Sequence, residues 1–394
     1  MNLAMLALHS SPVEALGARD AGGMSVVLVE LSAALARRGH RVDLFTCRGG
    51  APPGVPVEVR PGVRLIRVGG VPDAVAKAEL YTHLPAVAAE LSELVETNRW
   101  RYDRVHSHYW LSAVAGQPLA ARWGVPHWVT FHTLGAVKNR LACGEDEPPR
   151  RLTAERDLAL RCDRVIAPSE RERVLLVECC GTSADRVAVV PWGVDREPFC
   201  LGDRGAARAA LGIPGDAELL LFVGRFSPVK GLDLLLRALA VVVSLRPGVR
   251  LLVAGGDGPQ GADTRAGVVL AAELGVASRV AWLGSVPRRG MPRLYRAADL
   301  LAVPSRYESF GLAALEALAC GTPVVATRVG ALDEVVVPGE NGGLVDEAAP
   351  APLAAAIAAQ LAARRAAPEE VRSTVEDWTW DRSAAMIEAL AIPR

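Results

Sequence analysis

Short apolar runs alternate with amphipathic stretches along the whole chain. Residues 3–8 form an apolar run of strand length, a polar glycine-bearing loop follows, and residues 24–38 repeat apolar positions at helical spacing. Gly39 stands where helices usually end, and residues 41–46 read as the next strand. Further strands are predicted at 104–106, 127–130, 164–167 and 187–190. The rhythm restarts with a strand at 219–223, a helix at 231–244 and strands at 249–254, 280–283, 300–303 and 324–326, with helices at 292–297 and 311–319 between them. Strand alternating with helix is the pattern of parallel sheets covered by helices. The segment 192–208, rich in Gly, Pro and charge, separates the two cycles. The fold class is therefore α/β: two Rossmann-like domains facing each other across a cleft at the carboxyl ends of their strands. The expected division is 1–194, 195–375, and a C-terminal helix at 376–394 returning to the first domain. The crossings at 192–194 and 376–380 are expected to act as hinges. The Ala-rich segment 348–367 reads as a surface helix.

The length of 394 residues suits two cores rather than one. Forty-four basic and 44 acidic residues cancel, which gives no global reason to bind nucleic acid or an anionic membrane. No uninterrupted apolar run reaches about 18 residues, so no integral membrane segment is expected, and the opening residues read as a buried strand rather than a signal peptide. Seven cysteines, an odd number without a C-x-x-C pair, point to a reduced, cytoplasmic protein without structural metal. Only Lys77, Lys138 and Lys230 are lysines; every other basic residue is arginine. A compact ammonium and a planar guanidinium are not interchangeable, so these three positions draw attention.

Three loops carry candidate chemistry. Gly22-Gly23, between the first strand and the first helix, lets backbone approach a ligand and offers the free N–H groups of a helix start to an anion. Neither domain carries a G-x-G-x-x-G fingerprint after its first strand, which argues against a nicotinamide dehydrogenase. Arg225 and Lys230, five residues apart in the equivalent loop of the second domain, suit a diphosphate that gains negative charge as it leaves. Each such contact is worth about 3 kcal/mol. Glu308 and Glu316 bracket the start of the 311–319 helix. A carboxylate accepts both hydroxyls of a vicinal diol, so the pair suits one diol on a sugar and one on a ribose. The N–H groups of Phe310, Gly311 and Leu312 between them are placed to face a phosphate.

These loops together resemble the family 4 retaining glycosyltransferases of the GT-B fold, over the whole chain. The marks are Gly22-Gly23, the G-R-x(4)-K-G loop ending at Gly231, and Glu308/Glu316 within ESFGLAALEA. The resemblance implies that Arg225 and Lys230 contact the donor diphosphate, Glu316 the ribose and Glu308 the transferred sugar, with Gly23 facing the diphosphate. It also implies that no metal and no cofactor beyond the nucleotide-sugar donor are needed, and the sequence contains no D-x-D pair. The stretches HSHYWLS (106–112) and TFHTLGAVKN (130–139) are similar to the group that holds the mycothiol-pathway inositol-phosphate N-acetylglucosaminyltransferase and sucrose-phosphate synthase. By that resemblance Lys77, Tyr109, Thr133 and Arg151, which Arg150 adjoins, line an acceptor phosphate, and His132 lies near the donor sugar. Ser25, following Gly-Gly-Met, departs from the mycothiol group, which has Asn there.

The expected function is a retaining, metal-independent transfer of N-acetylglucosamine or glucose from a UDP-sugar to a hydroxyl of a small polar acceptor, a phosphorylated cyclitol or sugar. The catalytic set is Glu308, His132, Arg225 and Lys230. An unphosphorylated aminocyclitol acceptor and a non-catalytic two-domain binding protein are the alternatives. Lys138 has no assigned role, His9 is set aside as a lone histidine, and a homodimer is left open.

Overall fold

The computed structural model describes residues 1–13, 22–49, 52–72, 75–142, 144, 146–256, 261–363 and 366–391. Residues 364–365 of the Ala-rich segment and 392–394 of the expected C-terminal helix lie outside them.

The first half runs β1 (Asn2–Leu6), α1 (Gly23–Arg37), β2 (Arg41–Thr46), β3 (Pro56–Arg60), β4 (Val63–Arg67), α2 (Leu80–Thr97), β5 (Arg104–His108), α3 (Trp110–Trp123), β6 (His127–Thr130), α4 (Gly135–Arg140), α5 (Pro149–Arg161), β7 (Arg164–Ala167), α6 (Glu170–Cys180) and β8 (Val187–Val189). The second runs α7 (Arg204–Ala209), β9 (Glu218–Val223), α8 (Leu232–Leu245), β10 (Val249–Ala254), α9 (Ala262–Glu273), β11 (Val280–Gly284), α10 (Met291–Ala297), β12 (Leu300–Val303), α11 (Leu312–Ala319), β13 (Val324–Thr327), α12 (Leu332–Val335), β14 (Gly342–Val345), α13 (Pro350–Ala362), α14 (Pro368–Ser373) and α15 (Trp380–Ala389).

The first sheet has the order β3-β4-β2-β1-β5-β6-β7-β8, parallel except for β3 against β4; the second has the order β11-β10-β9-β12-β13-β14, parallel throughout. Leu3 pairs with Val42 on one side and Arg104 on the other, so β1 is central and buried on both faces, as its unbroken apolar run requires. β9 holds the same place between β10 and β12. At these two strands the order reverses, and a crevice opens beyond their carboxyl ends. The two loops leaving β1 and β9 are those that carry Gly22-Gly23 and Arg225–Lys230.

The chain crosses between the halves twice, side by side. The Val194 N–H donates to Trp378 O at 3.1 Å, and the Trp192 and Trp380 rings stack at 6.4 Å. A Cβ on Gly193 would sit 2.1 Å from Trp380 N, so only glycine lets the two crossings touch. α15 then lies along α1, with Arg37 bonded to Asp381 at 2.9 Å and Arg38 to Glu388.

The hairpin β3–β4 and the edge strand β14 are absent from the periodicity reading. β3 is exposed along its length and β14 begins with two glycines, so neither shows the apolar run of a central strand. The Ala-rich segment forms α13, which buries Leu353, Ala354 and Ile357 and packs on α8, so it is half core rather than wholly surface. Among the described residues no helix is long and apolar enough to cross a membrane.

Candidate active site

Two helix starts meet across the crevice. α1 begins at Gly23 and α11 at Leu312, both preceded by a glycine N-cap that offers no side-chain bond. A Cβ on Gly23 would lie 3.5 Å from Leu312 Cδ1, so the two starts face each other at van der Waals distance. The first N–H groups of each helix have no intrahelical acceptor, and both macrodipoles place positive charge at this seam.

On the second-domain side, Lys230 Nζ pairs with Glu308 Oε1, and the Ser305 hydroxyl donates to the same oxygen at 3.1 Å. Arg306 N–H donates to Val229 O at 2.7 Å, which ties the Glu308 loop to the Lys230 loop. Arg225 is exposed on the same loop and makes no side-chain bond to the described residues. Glu316, buried inside α11, is held by Arg288 at 2.7 Å and by the Tyr295 hydroxyl at 2.9 Å. Burial pushes its carboxyl up and Arg288 pulls it back. Each oxygen keeps a lone pair for a further donor. Sequence reading missed Arg288 and Tyr295, which come from elsewhere in the chain and show no motif.

On the first-domain side, Lys77, Tyr109, Thr133 and Arg151 come together from four segments. Lys77 Nζ lies 4.4 Å from the centre of the Tyr109 ring and the Arg151 guanidinium 4.9 Å from it. Arg151 Nη2 donates to Thr133 O at 2.7 Å and to its hydroxyl at 2.9 Å; Nη1 reaches the Tyr109 hydroxyl at 3.1 Å and Glu147 at 2.6 Å; Nε donates to Glu155 at 2.6 Å. All five N–H groups of Arg151 therefore have an acceptor, and its side chain is 1% exposed. Arg150, one residue earlier, is exposed and donates to Ala78 O at 2.8 Å, beside Lys77. Lys138 pairs with Glu147 at 2.6 Å, so Glu147 joins it to Arg151.

His132 and His108 share a ring hydrogen bond of 2.9 Å, and His106 bonds the Thr130 hydroxyl at 2.9 Å. Burial holds His132 and His106 down to about 3, so both rings are neutral near pH 7. Tyr109 and His132 have φ of 74° and 62°. Such backbone costs about 1–3 kcal/mol in a non-glycine residue and gathers at working sites. His9, set aside in the sequence reading, packs against Tyr109 with the ring centres 4.4 Å apart and the planes tilted by 39°. Its position after β1 at a switch point was the signal. The Nδ1 of His9, Nε2 of His108 and Oγ of Ser25 are buried without a hydrogen-bond partner among the described residues. Among the described residues no group of three His, Cys, Asp or Glu is arranged to hold a metal ion.

Residues 21–198 match the model of Glycosyltransferase Family 4, and residues 203–374 that of Glycosyl transferases group 1. The D-inositol 3-phosphate glycosyltransferase of Segniliparus rotundus is 44% identical over 94% of this chain and 83% of its own. The chain belongs to the family 4 glycosyltransferases. It is a glycosyltransferase of the GT-B fold. Among solved structures, the sucrose-phosphate synthase of Thermosynechococcus elongatus superimposes with a TM-score of 0.90 at 32% identity, covering 99% of this chain and 98% of that one. Anabaena HepE, solved with UDP and glucose, shares the fold at 22% identity and a TM-score of 0.78, covering 99% of each chain. Both halves of this glycosyltransferase thus belong to one architecture, with the crevice between them as the candidate active site.

Proposed function

We propose that this glycosyltransferase moves a sugar from a UDP-sugar to a hydroxyl of a small phosphorylated acceptor, a cyclitol or hexose, with retention at the anomeric carbon and without a metal. The observation that carries the reading is the convergence of Lys77, Thr133 and Arg151 around the Tyr109 ring, with Arg150 bonded to Ala78 O beside Lys77. A phosphate dianion wants charge together with several donors. The Segniliparus relative is named for an inositol phosphate and the synthase for a sugar phosphate, compounds of that kind. UDP comes from the family resemblance. The division of labour is acceptor binding by 1–194 and donor binding by 195–375, with the C-terminal helix at 376–394 returning to the first domain.

Within the cluster the roles divide. Arg151, with every N–H engaged, holds Thr133 and Tyr109 in place. Lys77 and Arg150 are the cations with charge to spare for the phosphate. The unpartnered His9, His108 and Ser25 atoms suit the hydroxyls of a polyol, since a buried polar atom left unbonded is costly.

On the donor side, Arg225, Lys230 and the two facing helix starts stabilise the leaving diphosphate, which is the charge a metal would otherwise meet. Glu308 receives sugar hydroxyls, and Glu316 those of the ribose. The described carboxylates near the acceptor are tied: Glu155 to Arg151 and the Gly135 N–H, Glu147 to Lys138 and Arg151, and Glu172 to Tyr307. None is placed as a nucleophile, which favours front-face substitution through an oxocarbenium-like state. The departing phosphate oxygen then takes the proton of the incoming hydroxyl.

The test is a mass-spectrometric screen of UDP-sugars against cyclitols, sugar phosphates and aminocyclitols. A glycosylated phosphate ester with stoichiometric UDP is expected. Equal use of an unphosphorylated aminocyclitol would sink the phosphate reading.

A further inference from the structure

Tyr307, one residue before Glu308, carries its ring out of the second domain and into the core of the first. The other buried members of that core all lie within residues 4–187. Its hydroxyl accepts the Leu134 N–H at 3.0 Å and donates to Glu172, 3.1 and 3.3 Å from the two carboxylate oxygens. Glu172 is on α6, and the start of that helix also touches the second domain: the Ser169 hydroxyl donates to Ser309 O at 3.3 Å and the Glu170 N–H to Glu334 at 2.9 Å.

The neighbours of these atoms give the contact its meaning. Leu134 lies between Thr133, which Arg151 holds, and Gly135, whose N–H donates to Glu155 at 2.8 Å. Three consecutive residues of the acceptor loop are therefore fixed, and the middle one is fixed from the other domain. On the donor side, Tyr307 stands between Arg306, whose N–H is tied to Val229, and Glu308, which pairs with Lys230. A shift of the donor loop cannot leave the acceptor loop untouched unless the phenol lets go.

We propose that Tyr307 is a positioning residue that couples the two subsites, transmitting the ordering of residues 305–311 by nucleotide to the acceptor loop 131–137. The proposal rests on the reading of the two subsites given above. Coupling between sites in proteins commonly amounts to about fivefold or more in affinity. A ring that served only to fill space would act the same with or without its hydroxyl.

The experiment uses the full chain with UDP as the probe. Calorimetry gives the UDP affinity, and hydrogen exchange of the 131–137 segment is followed with and without nucleotide. UDP is expected to slow exchange there in the wild-type protein. Tyr307→Phe, which keeps the ring, is expected to lose that protection while binding UDP within about threefold of wild type, and to raise the KM of the phosphorylated acceptor at least fivefold. Glu172→Gln, whose amide oxygen still accepts the phenol proton, is expected to keep the protection. Unchanged protection and unchanged acceptor KM in Tyr307→Phe overturn the proposal. So does wild-type protein that binds UDP without protecting 131–137, a result that needs no variant. Failure to bind UDP at all would overturn the donor reading itself, and this proposal with it.

Discussion

Lys230 and Glu308 form an ion pair across the donor side of the crevice, 78 residues apart in the chain. The pair joins the loop after β9 to the loop after β12, so the cation proposed for the leaving diphosphate and the carboxylate proposed for the sugar are fixed relative to each other before either meets substrate. Lys230→Ala and Glu308→Ala should each lower kcat by about a hundredfold or more, as expected of transition-state contacts. Circular dichroism should show little loss of fold, because both side chains stand at the crevice edge. A near-normal kcat in either variant would remove these residues from the catalytic set.

Glu316 should behave differently. A ribose contact is much the same in ground and transition states, so Glu316→Ala should act mainly on the KM of the UDP-sugar, by about tenfold, with kcat less affected. The same change leaves the Tyr295 hydroxyl and Arg288 without their acceptor. A lower thermal midpoint is therefore expected alongside the KM effect. Loss of kcat with an unchanged KM would contradict the assignment.

The neighbours Arg150 and Arg151 should separate cleanly. Arg151→Ala strands the buried Glu155 and leaves Glu147 with Lys138 as its cation, and breaking a buried pair costs about 3–5 kcal/mol. Denaturant unfolding should register that loss directly. Arg150→Ala should leave stability within about 0.5 kcal/mol, as surface changes usually do, and raise the KM of the phosphorylated acceptor. Lys77→Ala should do the same without moving the KM of the UDP-sugar. Equal stability in the two arginine variants would undo the division of roles.

Burial of histidines sets the acid limb of stability. Burial takes His106 and His132 down to about 3 and His127 to about 4, with His9 and His108 also lowered. The unfolded chain takes up these protons near 6.5, whereas the folded one does so only near 3 at His106 and His132 and near 4 at His127. This contribution is present above 6.5 and drains away as pH falls through that window. Glu172 works in the opposite sense: burial raises it to about 8, so its neutral form suits the fold and stability is lost as pH rises from about 4.5 through 8. Urea midpoints should fall steadily from pH 6.5 to 4, and Glu172→Gln should flatten the alkaline side. A midpoint that does not move between pH 6.5 and 4 would argue against buried neutral imidazoles.

The two parallel α/β halves were legible in the chain alone, since β1 and β9 show the unbroken apolar runs of central strands buried on both faces. The loops proposed for the donor, where Arg225, Lys230, Glu308 and Glu316 lie within short stretches with local spacing, were legible there too. The gathering of Lys77, Tyr109, Thr133 and Arg151 was legible only through a resemblance, because four segments meet there and no periodicity links them. The rest came from packing. It filled every donor of Arg151 and left Arg150 at the surface, a difference of one helical position that composition cannot show. It gave Lys138 a partner in Glu147, brought His9 onto Tyr109, and seated Tyr307 in the other domain against Leu134 and Glu172. Each of these depends on which side chains two loops present to one another across a crevice. That is set by how the sheets and their crossings pack, and it leaves no local pattern in the chain.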